Sequence, residues 1–142
     1  MLNSHSYFRK RHGVPVLKLN EELNKMAQAF AKSLSSSGQS FSKDIYNEEP
    51  LGINVLISDK DLKPEKICNE WYNESKKYDY TNYYKFQKGT GHFTQMIWKN
   101  TEEIGIGFEK NDDKMYVVAY YYPAGNIFNE FESNVFGENK KT

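Results

Sequence analysis

Cysteine occurs once in these 142 residues, as Cys68. No disulfide can close within the chain, which fits a reducing compartment better than the extracellular space. An excess of one charge is also missing, because nineteen basic and nineteen acidic residues cancel. That excludes an overall electrostatic pull toward nucleic acid or acidic lipid, so any such attraction must come from a local patch. No apolar run approaches the eighteen or so residues of a membrane-spanning helix, and Met1-Leu2-Asn3-Ser4 lacks the hydrophobic core of a signal peptide. As read, the sequence is expected to be soluble and unsecreted. Histidine is scarce, with only His5, His12 and His92. The first two stand seven residues apart without cysteine or acid neighbours, too few donors for a three- or four-ligand zinc site. No metal or other cofactor is expected. No serine stands in a Gly-x-Ser-x-Gly turn.

The length suits one domain with a sizeable core. It is expected over residues 1–136, followed by a polar, frayed tail over 137–142. Eleven tyrosines and nine phenylalanines stand out, with tyrosines clustered at 78–84 and again at 120–122. Such rings suit half-buried surfaces and interfaces. A first helix is expected from Ser4 to His12, stopping at Gly13, with Val14-Pro15-Val16 extended. Asn20 is a good N-cap for a second helix, whose apolar stripe is Leu23, Met26, Ala27, Phe30, Ala31 and Leu34. From Gln39 to Asp61 the pattern is weak, with a turn at Asn47-Glu48-Glu49-Pro50 and a short buried piece at Val55-Leu56-Ile57. A third helix starts near Pro64, runs to about Lys77 and buries Ile67, Trp71 and Tyr78. Ile104, Ile106 and Phe108 alternate with Gly105 and Gly107, Asn111-Asp112-Asp113 turns, and Met115 to Tyr122 returns, which predicts a hairpin. Both faces of the returning strand are apolar or aromatic. The sheet should therefore be covered by helices on each side, giving an α/β domain of three layers, α-β-α.

His92 is the residue most suggestive of a site, set between Gly89-Thr90-Gly91 and the apolar run Phe93-Thr94-Gln95-Met96-Ile97-Trp98. Glu74 falls on the inward face of the third helix, three residues after Trp71, and an inward acid needs a partner. A carboxylate beside an imidazole fixes which ring nitrogen carries the proton. That serves a general base, a metal ligand or a plain structural hydrogen bond equally well. Cys68, mid-helix without an adjacent base, reads as a buried small hydrophobe, and Arg9-Lys10-Arg11 as a solvated helix face.

Gly91-His92-Phe93-Thr94-Gln95-Met96-Ile97-Trp98, the following Lys99-Asn100-Thr101, and Val117-Val118-Ala119-Tyr120-Tyr121-Tyr122-Pro123-Ala124-Gly125-Asn126 resemble the two signatures of the CAP superfamily, named for cysteine-rich secretory proteins, antigen 5 and plant pathogenesis-related proteins. Within it the chain is most similar to the intracellular, Golgi-associated members. The resemblance implies the α-β-α sandwich of the CAP type and a central cleft lined by two histidines and two glutamates, the histidines able to hold a divalent metal. His92 and Glu74 match the later histidine and the later glutamate. The earlier glutamate is replaced by Ile53 in Gly52-Ile53-Asn54, and the earlier histidine falls near Ser42, in a stretch without histidine. With half the tetrad gone, tight zinc binding should be lost, leaving His92 only a weak metal candidate.

The expected function is that of a non-enzymatic intracellular binding protein with a degenerate cleft. It would engage an acidic phospholipid or membrane surface, or a protein partner, with a homodimer as a further possibility and no nucleic acid. Its expected place is the cytoplasm, peripheral on Golgi membrane, without the Met-Gly start that a myristoyl anchor needs. A hydrolase using His92 as general base oriented by Glu74, and a sterol or fatty-acid carrier, are the alternatives.

Overall fold

The structure, a computed structural model, describes residues 1–37 and 45–139. Helix α1 spans Leu2–Arg11 and ends at Gly13, whose φ of +71° is open to a residue without a Cβ. Strand β1 is the two-residue Lys18–Leu19. Asn20 then caps α2, Glu21–Ser37, by accepting the Leu23 N–H on Oδ1 at 3.0 Å. Strands β2, Ile45–Tyr46, and β3, Glu49–Pro50, form a separate small hairpin around Asn47 and Glu48, both at positive φ. Strand β4 covers Gly52–Ser58, and α3 covers Pro64–Tyr72 with proline in its first turn. The third helix thus stops earlier than expected as an α-helix and tightens into 3-10 turns at Asn73–Lys77 and Tyr80–Asn82. Helix α4 is the short Gly91–Met96. The hairpin strands are β5, Glu103–Asn111, and β6, Lys114–Tyr122, and α5 is Phe131–Asn134.

The main sheet has the order β1-β5-β6-β4, antiparallel throughout except for the β1–β5 pair. Its two faces carry two cores. Ala27, Phe30, Ala31 and Leu34 of α2 pack on Val118 and Tyr120, while Ile67, Trp71, Phe93, Met96 and Trp98 pack on Val117, Ala119 and Tyr121. Alternation along β6 therefore feeds both layers, as its two apolar faces require. The mixed α/β architecture with helices on each side of the sheet is what the pattern predicts. Two local readings need correction. Val55 and Leu56 are only half-buried and Ile57 is 50% exposed, because β4 is an edge strand. Arg9 is no solvated residue: it is fully buried and donates to the carbonyls of Pro15, Met96, Trp98 and Thr101 at 2.6–3.0 Å. A guanidinium can satisfy several diverging carbonyls at once, and here it ties α1 to the chain leaving α4. At the other end of the chain, Glu138 pairs with Arg11, and the Asn139 N–H donates to the Arg11 carbonyl.

Candidate functional site

Glu74 lies in the 3-10 turn that follows α3, and His92 in the first turn of α4. The structure brings them together: His92 Nδ1 is 2.7 Å from Glu74 Oε2, and Glu74 Oε1 accepts the Phe93 N–H at 3.1 Å. Thr90, the N-cap of α4, makes no capping bond, its hydroxyl donating instead to the Gln87 carbonyl. Glu74 thus does from a distance what the local cap does not, satisfying one of the open N–H groups of the first turn. The imidazole stacks on Trp71 with ring centroids 5.8 Å apart and planes 11° apart. Nδ1 therefore carries the proton given to Glu74, and the ring is held by a hydrogen bond on one edge and an indole on one face. Nε2 has no hydrogen-bond partner among the described residues, and the side chain is 39% exposed.

The backbone of His92 is held as well. Asn54 is buried on β4 and donates through Nδ2 to the His92 carbonyl at 3.1 Å and to the Tyr121 hydroxyl at 3.2 Å. The Tyr121 hydroxyl donates to His5 Nε2 at 2.7 Å, and His5 Nδ1–H donates to the Met1 carbonyl at 3.0 Å. A polar thread thus runs from α1 through the sheet to His92. Burial lowers the pKa of His5 to about 4 and raises that of Tyr121 well above its ordinary value, so both are neutral and fit this donor sequence. Cys68 is also buried against His5 and Met1, and burial pushes its thiol up to about 11, which keeps it protonated and inert. Ile53 does not join Glu74 and His92. It sits opposite Tyr120 in the β4–β6 ladder, and strand alternation gives the face toward His92 to Asn54. Ser42 lies outside the described residues. Asn54, Tyr121 and His5 are the site residues that sequence reasoning missed. The available signal was a polar Asn54 at an inward strand position.

Beside Gly91, a cavity of about 140 Å³ is lined by Tyr78, Tyr83, Tyr84, Phe86, Phe128 and Phe131 with Thr94 and Asn126. Phe86 is 85% exposed, Phe128 74% and Tyr84 56%. The Tyr78 hydroxyl is buried and has no hydrogen-bond partner among the described residues. Asn126, at positive φ, ties the 123–126 loop to α4 by accepting the Thr94 hydroxyl at 2.6 Å and donating to the Gly91 carbonyl at 2.9 Å. Metal chemistry finds little here. The described residues contain no group of three or more His, Cys, Asp or Glu side chains placed to hold an ion, so they do not fit a zinc site.

A three-layer sandwich with a glutamate-bound histidine at the start of a short helix defines a class. The model for the cysteine-rich secretory protein (CAP) family matches residues 2–122, and the chain belongs to that family. Among its relatives, human Golgi-associated plant pathogenesis-related protein 1 is 38% identical, over 99% of this chain and 92% of that protein. Protein PRY2 of Saccharomyces cerevisiae is 33% identical over 95% of this chain, which spans only 40% of that protein. Venom allergen 5 of Vespula pensylvanica is 36% identical over 78% of this chain and 58% of its own length. The crystal structure of NaASP2 with Zn2+ superposes with a TM-score of 0.71 over 97% of this chain and 83% of that one. At 23% identity it shows the fold alone. Schistosoma mansoni venom allergen-like protein 4 gives a TM-score of 0.70 at 27% identity, over 86% of this chain and 84% of that one.

Proposed function

We propose that this CAP domain is a non-enzymatic binding module that attaches peripherally to acidic membrane through the aromatic surface beside α4. The observation that carries the reading is the exposure of Phe86, Phe128 and Tyr84 together around one apolar-lined cavity. Exposed aromatic clusters of this kind mark interaction surfaces, and aromatic rings favour the membrane interface. Lys85 and Lys88 share the loop with Phe86, and the Lys77 ammonium sits close to Gly89, so cations border the rings. Of the acids near the patch, Glu132 interacts with the Tyr83 hydroxyl, and the Asp79 carboxylate accepts from Thr81 and Asn82. A patch of this composition attracts anionic headgroups although the whole chain is neutral. The human relative's name makes that protein Golgi-associated, and an intracellular Golgi surface is the setting proposed here.

A second reading rests on Tyr78. A buried, unpartnered hydroxyl at the wall of an apolar cavity suits an amphipathic lipid, whose polar group would satisfy it while its hydrocarbon fills the space. The test of the main reading is co-sedimentation with neutral and phosphatidylserine-containing vesicles at two salt concentrations. Wild type is expected to pellet with acidic vesicles, less so as salt rises, and Phe86→Ser/Phe128→Ser to stay in the supernatant. Equal pelleting of that variant would overturn the assignment of the surface.

A further inference from the structure

Among the described residues, strand β5 has a strand neighbour on its outer side only at its start. The β1 pairing covers Glu103 and Ile104, after which the chain turns at Asn20 into α2, and among the described residues no strand continues along Ile106 to Asn111. An outer edge of this kind presents unpaired N–H and C=O groups, a template for another strand. Here it is occupied by side chains. The Ile106 N–H donates to Asn24 Oδ1 at 2.8 Å and the Phe108 N–H to Gln28 Oε1 at 3.0 Å, while Gln28 Nε2 donates back to the Phe108 carbonyl at 2.7 Å. The row begins one step earlier, where the Asn20 N–H donates to the Ile104 carbonyl at 2.9 Å.

The match is geometric. Positions 20, 24 and 28 are four residues apart on a helix, roughly 6 Å per step, and positions 104, 106 and 108 are two apart on a strand, roughly 6.6 Å per step. Two repeats so nearly equal let consecutive helical turns meet consecutive outward-facing groups of the strand. Contact also requires the helix to lie very close. Ideal Cβ atoms on Gly105 and Gly107 would fall 2.2 Å from the Leu23 carbonyl carbon and 2.4 Å from that of Ala27, so these glycines admit the helix backbone against the strand. An open groove runs along this edge beside Asn24 and Gln28, bordered by Leu19, Ile106 and Phe108.

We infer that Asn24 and Gln28 stand in for a missing edge strand, closing β5 against pairing with the same edge of a second copy. Two such edges related by a two-fold axis would pair antiparallel, each supplying the donors and acceptors the other needs, with Ile106 and Phe108 as the apolar component. The amides remove that option by occupying the Ile106 N–H and both backbone groups of Phe108 first.

The test is amide hydrogen exchange with sedimentation velocity on the full chain. In wild type the Ile106 and Phe108 amides should exchange at least about tenfold more slowly than the turn amides of Asp112 and Asp113. In Asn24→Ala/Gln28→Ala both should exchange about tenfold faster, and self-association should rise above the wild-type level. Asn24→Asp, which keeps an acceptor for Ile106, should preserve protection at that amide. Wild-type amides at 106 and 108 exchanging as fast as the turn overturn the proposal, whether or not the alanine variant folds. Faster exchange without added self-association overturns the pairing with a second copy.

Discussion

Glu74 shows how one side chain can be structural and site-forming at once. Its two oxygens serve the His92 ring and the Phe93 N–H, so its loss strips both an α4 capping partner and the group orienting the imidazole. Glu74→Ala is expected to cost about 2 kcal/mol in urea unfolding, and Glu74→Gln less, because an amide oxygen can still accept from Phe93. Arg9→Met should cost at least about 3 kcal/mol in the same assay, since it strands the buried carbonyls of Met96, Trp98 and Thr101. His5 predicts a pH dependence. Its folded pKa, about 4, lies below the ordinary 6.5, so the neutral ring stabilises the fold in full above 6.5 and that contribution is lost as pH falls from 6.5 through 4. His12, also lowered by burial, adds in the same direction. Wild type should lose roughly 3 kcal/mol more over that range than His5→Gln. Glu74 was legible in the sequence because helical periodicity turns it inward beside Trp71. The Asn54–Tyr121–His5 thread was not, because its partners lie 67 and 116 residues apart and no local pattern links them.

At the scale of elements, hydrophobic period did most of the specifying. The α2 stripe and the β5–β6 hairpin can be read directly, since each buries a face through residues spaced at its own repeat. The stretch before β4 resisted reading because its strands are short and β4 is an edge strand, paired on one side only among the described residues. The glycines alternating in β5 were visible, but their purpose was not: they mark where α2 rests backbone-on-backbone. Gly107→Ala should therefore destabilise by about 2 kcal/mol or more in denaturant unfolding, because the Cβ would meet helix backbone that cannot move aside locally.

For the whole molecule, what matters is the aromatic surface that lies beside the His92–Glu74 pair. His92 presents one outward nitrogen, with Glu74 as its only charged partner among the described residues. The cavity rimmed by Phe86 and Phe128 is lined by Gly91 and Thr94 but not by His92. That separation makes the two roles of the site distinguishable. The most direct measurement is vesicle co-sedimentation of His92→Ala beside wild type and Phe86→Ser/Phe128→Ser, at low salt with phosphatidylserine vesicles. Binding through the aromatic surface predicts that His92→Ala pellets like wild type while the double variant does not. Loss of pelleting in His92→Ala with retention in the double variant would contradict it and put binding in the cleft.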